Sequence, residues 1–235
     1  MKRAAWAAII VFAALGVSSA FTRAVAVLAP DGAVVRVQRR LTVALNDDEP
    51  LVRQYEARFA AHPVLTLLHV VPGGLFLALA PLQFSRRIRT RHLRFHRWSG
   101  RALVVAAIVS VVPSFYFGVV HPVGGFGEVS SIALFGALTL LFVVRGFVAV
   151  RRGDVARHRR FMIRAFAAAL AVSTVRIVGA VVQVLAATTP VQTITIAFWT
   201  GWLLTLAAAE SYIRLTATSA RTYSFAVRGT GSATR

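Results

Sequence analysis

The side chains able to do chemistry in this chain are six histidines and a few charged residues set inside apolar runs. His69, Arg164, Arg176 and Glu210 all fall within stretches apolar enough to cross a bilayer. An ionisable group there is expensive and therefore points to a site. Imidazoles can ligate haem iron, and arginines can hold propionates, phosphates or carboxylates through a planar fork of donors. Ligation by two histidines needs imidazoles at matched depth on opposing helices. His96 and His158, each at the start of a span, meet that requirement roughly. His69 and His121 meet it poorly, because His121 belongs at the outer surface.

Ordinary roles compete for the same residues. Arg164 and Arg145 can extend toward the membrane interface, and Glu210 can pair with either of them. Arg176 is harder to place in that way, since a guanidinium at mid-depth needs an acceptor and no acid stands out at its level. His92 and His96 are spaced i, i+4, as are Asp154 and His158, a spacing that suits a divalent metal on one helix face. The arginines crowding both stretches would repel a dication and attract anions instead, so no metal is expected there.

The elements that must position these groups are membrane helices. The chain has 235 residues, 57% hydrophobic, with mean hydropathy +0.68. That is more apolar than a water-soluble domain, and apolar runs of about 20 residues recur along it. Expected spans are Ala4–Ala29, Pro63–Phe84, Trp98–Val120, Val129–Val150, Phe161–Leu185 and Thr193–Ile213. The fold class is therefore all-α, a polytopic bundle of six transmembrane helices. The net charge of +19 is concentrated in SRRIRTRHLRFHRWSGR and RRGDVARHRR, between spans. Loops of that kind stay cytoplasmic, which puts both termini inside and removes nucleic acid as a partner. Anionic lipid headgroups are the partner expected on that face. The absence of cysteine removes disulfides, thiolate metal sites and covalently attached haem.

Residues 1–29 form the first span, with Val17-Ser18-Ser19-Ala20 leaving a cleaved signal peptide as the alternative. Residues 30–61 form an extracytoplasmic segment. In it AVVRVQRRLTVAL reads as a short strand or extended arm, and Asn46-Asp47-Asp48-Glu49-Pro50 opens a helix. Leu51, Val52, Tyr55 and Phe59 share one face of that helix, which is expected to lie on the membrane surface. Residues 62–214 make a five-span core, and 215–235 a disordered cytoplasmic tail. Within the second span His62, His69, Gly73 and Ala80 fall within about 40° on one stripe, whose small residues admit a close neighbour. Pro72 removes a donor from the Leu68 carbonyl, so a kink is expected there.

His62-Pro63, His69, Gly73, Pro81-Leu82-Gln83-Phe84, His96-Arg97, Gly100-Arg101, Gly153-Asp154, His158, Arg160 and Met162-Ile163-Arg164 occur in one order, with Arg176 and Glu210 further on. In this pattern the chain resembles the bacterial predicted-membrane-protein family called domain of unknown function twenty-three-oh-six, over roughly Leu51 to Ile213. The resemblance implies a multi-pass protein of the bacterial cytoplasmic membrane and brings no activity with it.

The leading functional reading is a haem-linked or redox-associated membrane protein, with His69, His96, His158, Arg164 and Arg176 as cofactor-binding residues and b-type haem as the cofactor. His62, His121 and Glu210 complete the polar sites. The alternatives are a transporter, a protein binding anions or anionic lipids, and an assembly partner without cofactor. Whether the protein is an enzyme is left open. The sharpest expectation is geometric: His69 stays neutral and shares an outer-half cavity with Arg176.

Overall fold

The computed structural model describes residues 3–37 and 50–230. Its first helix, α1 (Arg3–Leu28), is followed by α2 (Pro50–Ala61), α3 (Pro63–Gln83) and the short α4 (Arg86–Arg91). Helix α5 (Leu93–Phe115) ends in a π-helical turn, Tyr116–Val120. Then come α6 (Gly125–Arg151), α7 (Val155–Leu185) and α8 (Pro190–Thr230). Six of these, counting α5 with its π turn, are long and apolar enough to cross a membrane. No strand occurs among the described residues. Most of the expected arm and the Asn46–Glu49 helix start lie outside them.

Helices α1, α3, α5, α6 and α7 close a ring, and α8 lies against α7 and α6. Helix α7 is the mast of this arrangement. Its run of alanines lets neighbours approach closely, as small residues do where lipid gives no hydrophobic drive for association. Ala165 packs with Ala107 of α5 and Val143 of α6. Phe166 and Leu170 pack with Ala13 of α1 and Leu77 of α3, while Ile163 and Ala167 pack with Ala209 and Ile213 of α8. Helix α1 is also tied in by a hydrogen bond from Ser173 Oγ to the Phe12 carbonyl, 2.6 Å. Large apolar side chains such as Leu75, Leu79, Val105, Val112, Leu203 and Leu204 point outward. That exterior suits acyl chains and would be costly in water.

The structure adds detail to the sequence expectations at three points. Helix α2 does not simply rest on a membrane surface. Phe59 is buried against Phe117, with ring centroids 4.7 Å apart, and Arg58 is buried with it. Helix α3 stays helical through Pro72. Beside that proline the Ser110 hydroxyl donates to the His69 carbonyl at 2.6 Å, one residue on from the Leu68 carbonyl expected to be freed. Finally, the backbone of α8 is helical through Thr230, so the stretch after Leu215 begins as helix rather than as an irregular tail.

Candidate functional site

The ring of helices surrounds a partly open cavity of about 300 Å³. Most of its wall is apolar or small: Gly73 and Leu77 of α3, Ala107 of α5, Gly136 of α6, Ala168 and Val172 of α7, Trp202 of α8. Its polar groups include Arg23 of α1, Tyr55 and Arg58 of α2, His69 of α3, Ser110 of α5 and Arg176 of α7, with the hydroxyls of Ser19, Ser114 and Thr139. His69 and Arg176 thus line one cavity, as expected from the sequence.

Each polar group is held by identifiable contacts. His69 Nδ1 lies 2.7 Å from the Ser110 carbonyl oxygen. A carbonyl can only accept, so Nδ1 carries the proton and donates. Nε2 is left without a hydrogen-bond partner among the described residues. The close approach this needs is allowed by Gly73, where a Cβ would lie 2.7 Å from Ser110 Oγ. Arg23 pairs through both terminal guanidinium nitrogens with the carboxylate of Glu56 on α2, the Nη2–Oε1 contact being 2.8 Å, and its charge lies over the Phe59 ring.

Arg58 is the most enclosed cation. Its guanidinium stacks over Tyr55, donates to the Phe117 and His121 carbonyls at 3.1 Å each and lies 2.8 Å from Glu128 Oε1. Glu128 has no exposure at all. Its other oxygen accepts from the Val123 and Gly124 amides at 2.8 and 2.6 Å, as suits a carboxylate in the first turn of α6. Arg176 contrasts with both. It lines the cavity as an exposed side chain, with no hydrogen bond or ion pair among the described residues, although Tyr55, Glu56 and Arg23 are near enough to act on it electrostatically.

The remaining expected residues fall elsewhere. Arg164 and Glu210 join α7 to α8 in a two-pronged ion pair, with Nη2–Oε2 at 2.9 Å. His62 and His121 meet Tyr116 at the end that carries α2. At the opposite, arginine-rich end His96 lies within electrostatic reach of His158, and His158 Nδ1 lies 2.9 Å from the Gly146 carbonyl. In neither i, i+4 pair there do both members lie within a helix. His92 caps α4 and α5 in a non-helical conformation, and Asp154 is the N-cap of α7, accepting from the Arg157 amide. No group of three His, Asp or Glu residues converges among the described residues. His69 and His121 form no pair, since His121 is exposed beside Tyr116 while His69 lies in the cavity wall.

Reading the residues alone misses Arg23, Arg58, Glu128 and Ser110. For Arg23 and Glu128 a signal exists: each interrupts or borders an apolar run, the criterion that singles out Arg176. Arg58 and Ser110 carry none, because polar residues at a helix surface and within a span have no distinguishing pattern.

Fold and site together define a polytopic helical membrane protein with an arginine-rimmed cavity between its helices. Residues 66–213 match the family described as "Predicted membrane protein (DUF2306)", and the chain belongs to that family. No curated protein and no solved structure matches it.

Proposed function

We propose that this is a ligand-binding protein of the bacterial cytoplasmic membrane, whose cavity holds a mostly apolar molecule through an acidic head, a carboxylate or phosphate. The observation that carries this reading is the charge balance at the cavity rim. Three arginines, Arg23, Arg58 and Arg176, line it, and two carboxylates, Glu56 and Glu128, answer the first two. The guanidinium of Arg176 is left to an acid supplied from outside the described residues, while the apolar wall accommodates a hydrocarbon body. Both termini lie in the cytoplasm. The cavity then opens into the outer half of the bilayer, and the arginine-rich loops meet anionic headgroups.

Solvent extraction of protein purified in a mild detergent, followed by mass spectrometry, tests this. An acidic amphiphile is expected in near-equal amount with the wild-type chain and depleted from Arg176→Leu. Equal amounts in both, or none in either, would contradict it.

A second reading, b-type haem in the same cavity, is favoured by His69. Its Nδ1 is engaged by a backbone carbonyl, the arrangement that orients an imidazole to ligate through Nε2, and the rim arginines suit propionates. His69 alone would be the axial histidine, because His96 and His158 do not line this cavity. Absence of a Soret band after haem supplementation would sink this version and leave the first standing.

A further inference from the structure

At the end of the bundle that carries α2, outside the cavity, three donor atoms converge. His62 Nε2 lies 3.3 Å from the Tyr116 hydroxyl, and His121 Nε2 lies 2.9 Å from the same oxygen. The two imidazole rings face one another with centroids 5.3 Å apart and planes inclined by 35°. His121 is exposed, and His62 and Tyr116 are half-buried, so the cluster can be reached from solvent.

We propose that His62, His121 and Tyr116 form a binding site for a borderline transition-metal dication, zinc or copper, with water completing the shell. Two ligands bound at about 2.0 Å in a tetrahedral site are about 3.3 Å apart. The two contacts to the Tyr116 oxygen are of that order, so an ion could enter with small side-chain rotations. Imidazole nitrogen is a ligand both metals favour, and a phenol oxygen suits them better than it suits a soft monovalent ion.

The backbone around these donors is held by several contacts. His62 is the N-cap of α3, next to Pro63, and His121 closes the π turn that begins at Tyr116. Short π segments of this kind often accompany functional sites. Arg58 fixes the turn from below by donating to the Phe117 and His121 carbonyls. Its positive charge does not stand against a dication unopposed, because Glu128 lies 2.8 Å away. Without metal, the Tyr116 hydroxyl has one proton to share between two nitrogens. One imidazole must then donate to it and the other accept. A bound ion replaces that arrangement with two nitrogens acting alike.

The probe is Zn2+ alone, applied to the full-length protein purified without a histidine tag and dialysed against metal-free buffer, with retained zinc measured by elemental analysis. One zinc per chain is expected for wild type, and for the control His92→Ala/His96→Ala/His158→Ala. His62→Ala/His121→Ala should lose it, and Tyr116→Phe should bind at least tenfold more weakly. No retained zinc in wild type, or zinc unaffected by the double substitution, overturns the proposal and leaves a hydrogen-bonded clamp. Should the double variant fold poorly, Cu2+ bound to wild-type protein decides the matter by electron paramagnetic resonance. Hyperfine coupling to two imidazole nitrogens supports the site. Coupling to none, or a signal lost with the triple control, contradicts it.

Discussion

Arg58 and Glu128 are the charges on which stability depends most. Both are sealed from solvent, with side-chain exposures of 7% and 0%. Removing one partner strands the other in a medium of low dielectric, at a cost of about 3–5 kcal/mol. Arg164 and Glu210 make an ion pair too, but at 23% and 37% exposure. Water and headgroups screen it, so its loss costs no more than about 1 kcal/mol. Thermal unfolding in detergent should therefore rank the variants, with Glu128→Gln strongly destabilised and Glu210→Gln close to wild type. Equal losses would show that the two environments do not differ as described.

The Arg164–Glu210 partnership was legible in the sequence because both residues interrupt apolar helices at similar depth. The Arg58–Glu128 pair was not. Its acid sits in a short glycine-rich connection that reads as a loop, and only the packing of α2 onto the π turn brings the arginine to it. Arg176 was legible as a cation inside an apolar run, and it lines the cavity with no hydrogen bond or ion pair among the described residues. At that position Arg176→Lys should not restore ligand retention, since a point charge cannot reproduce the planar fork. Retention by Arg176→Lys equal to wild type, in the extraction assay, would mean that charge alone suffices.

At the scale of elements, the close contact of α3 and α5 positions His69. A Cβ at Gly73 would meet Ser110 Oγ at 2.7 Å, and Ser110 bonds the His69 carbonyl while its own carbonyl takes His69 Nδ1. Gly73→Ala should cost about 1–3 kcal/mol through overpacking. Combining it with Ser110→Ala should recover part of that loss, whereas additive losses would place the strain elsewhere. The stripe of small residues in the second span announced a close neighbour, but hydropathy cannot say which helix that neighbour is. The role of α2 was hidden for a related reason. The spacing of Tyr55 and Phe59 gives an apolar face whether its partner is lipid or protein, and here the partner includes Phe117.

For the whole molecule, six membrane-spanning helices follow from run length and composition, and the ring they form follows from neither. Ring order depends on which faces carry small residues: alanines on α7, glycines on α3 and α6. The orientation rests on the arginines. Reporter fusions after Arg87 and Gly153 should read as cytoplasmic, and those at Gly125 and Thr189 as extracytoplasmic. The reverse pattern would place the cavity in the inner leaflet.

Selection of an acidic head by the cavity is the property that most directly separates ligand binding from a purely structural bundle. Trp202 lines it, with its indole nitrogen bonded to the Ala168 carbonyl at 3.1 Å. A brominated fatty acid seated beside Trp202 should quench its fluorescence at contact range. The measurement is a quenching titration of the full-length protein with that acid and with its methyl ester, repeated on Trp202→Phe to isolate this indole. Saturable quenching by the acid is expected at concentrations at least tenfold below those of the ester, with the preference abolished in Arg176→Leu. Equal quenching by acid and ester, or a preference that survives Arg176→Leu, would contradict the account.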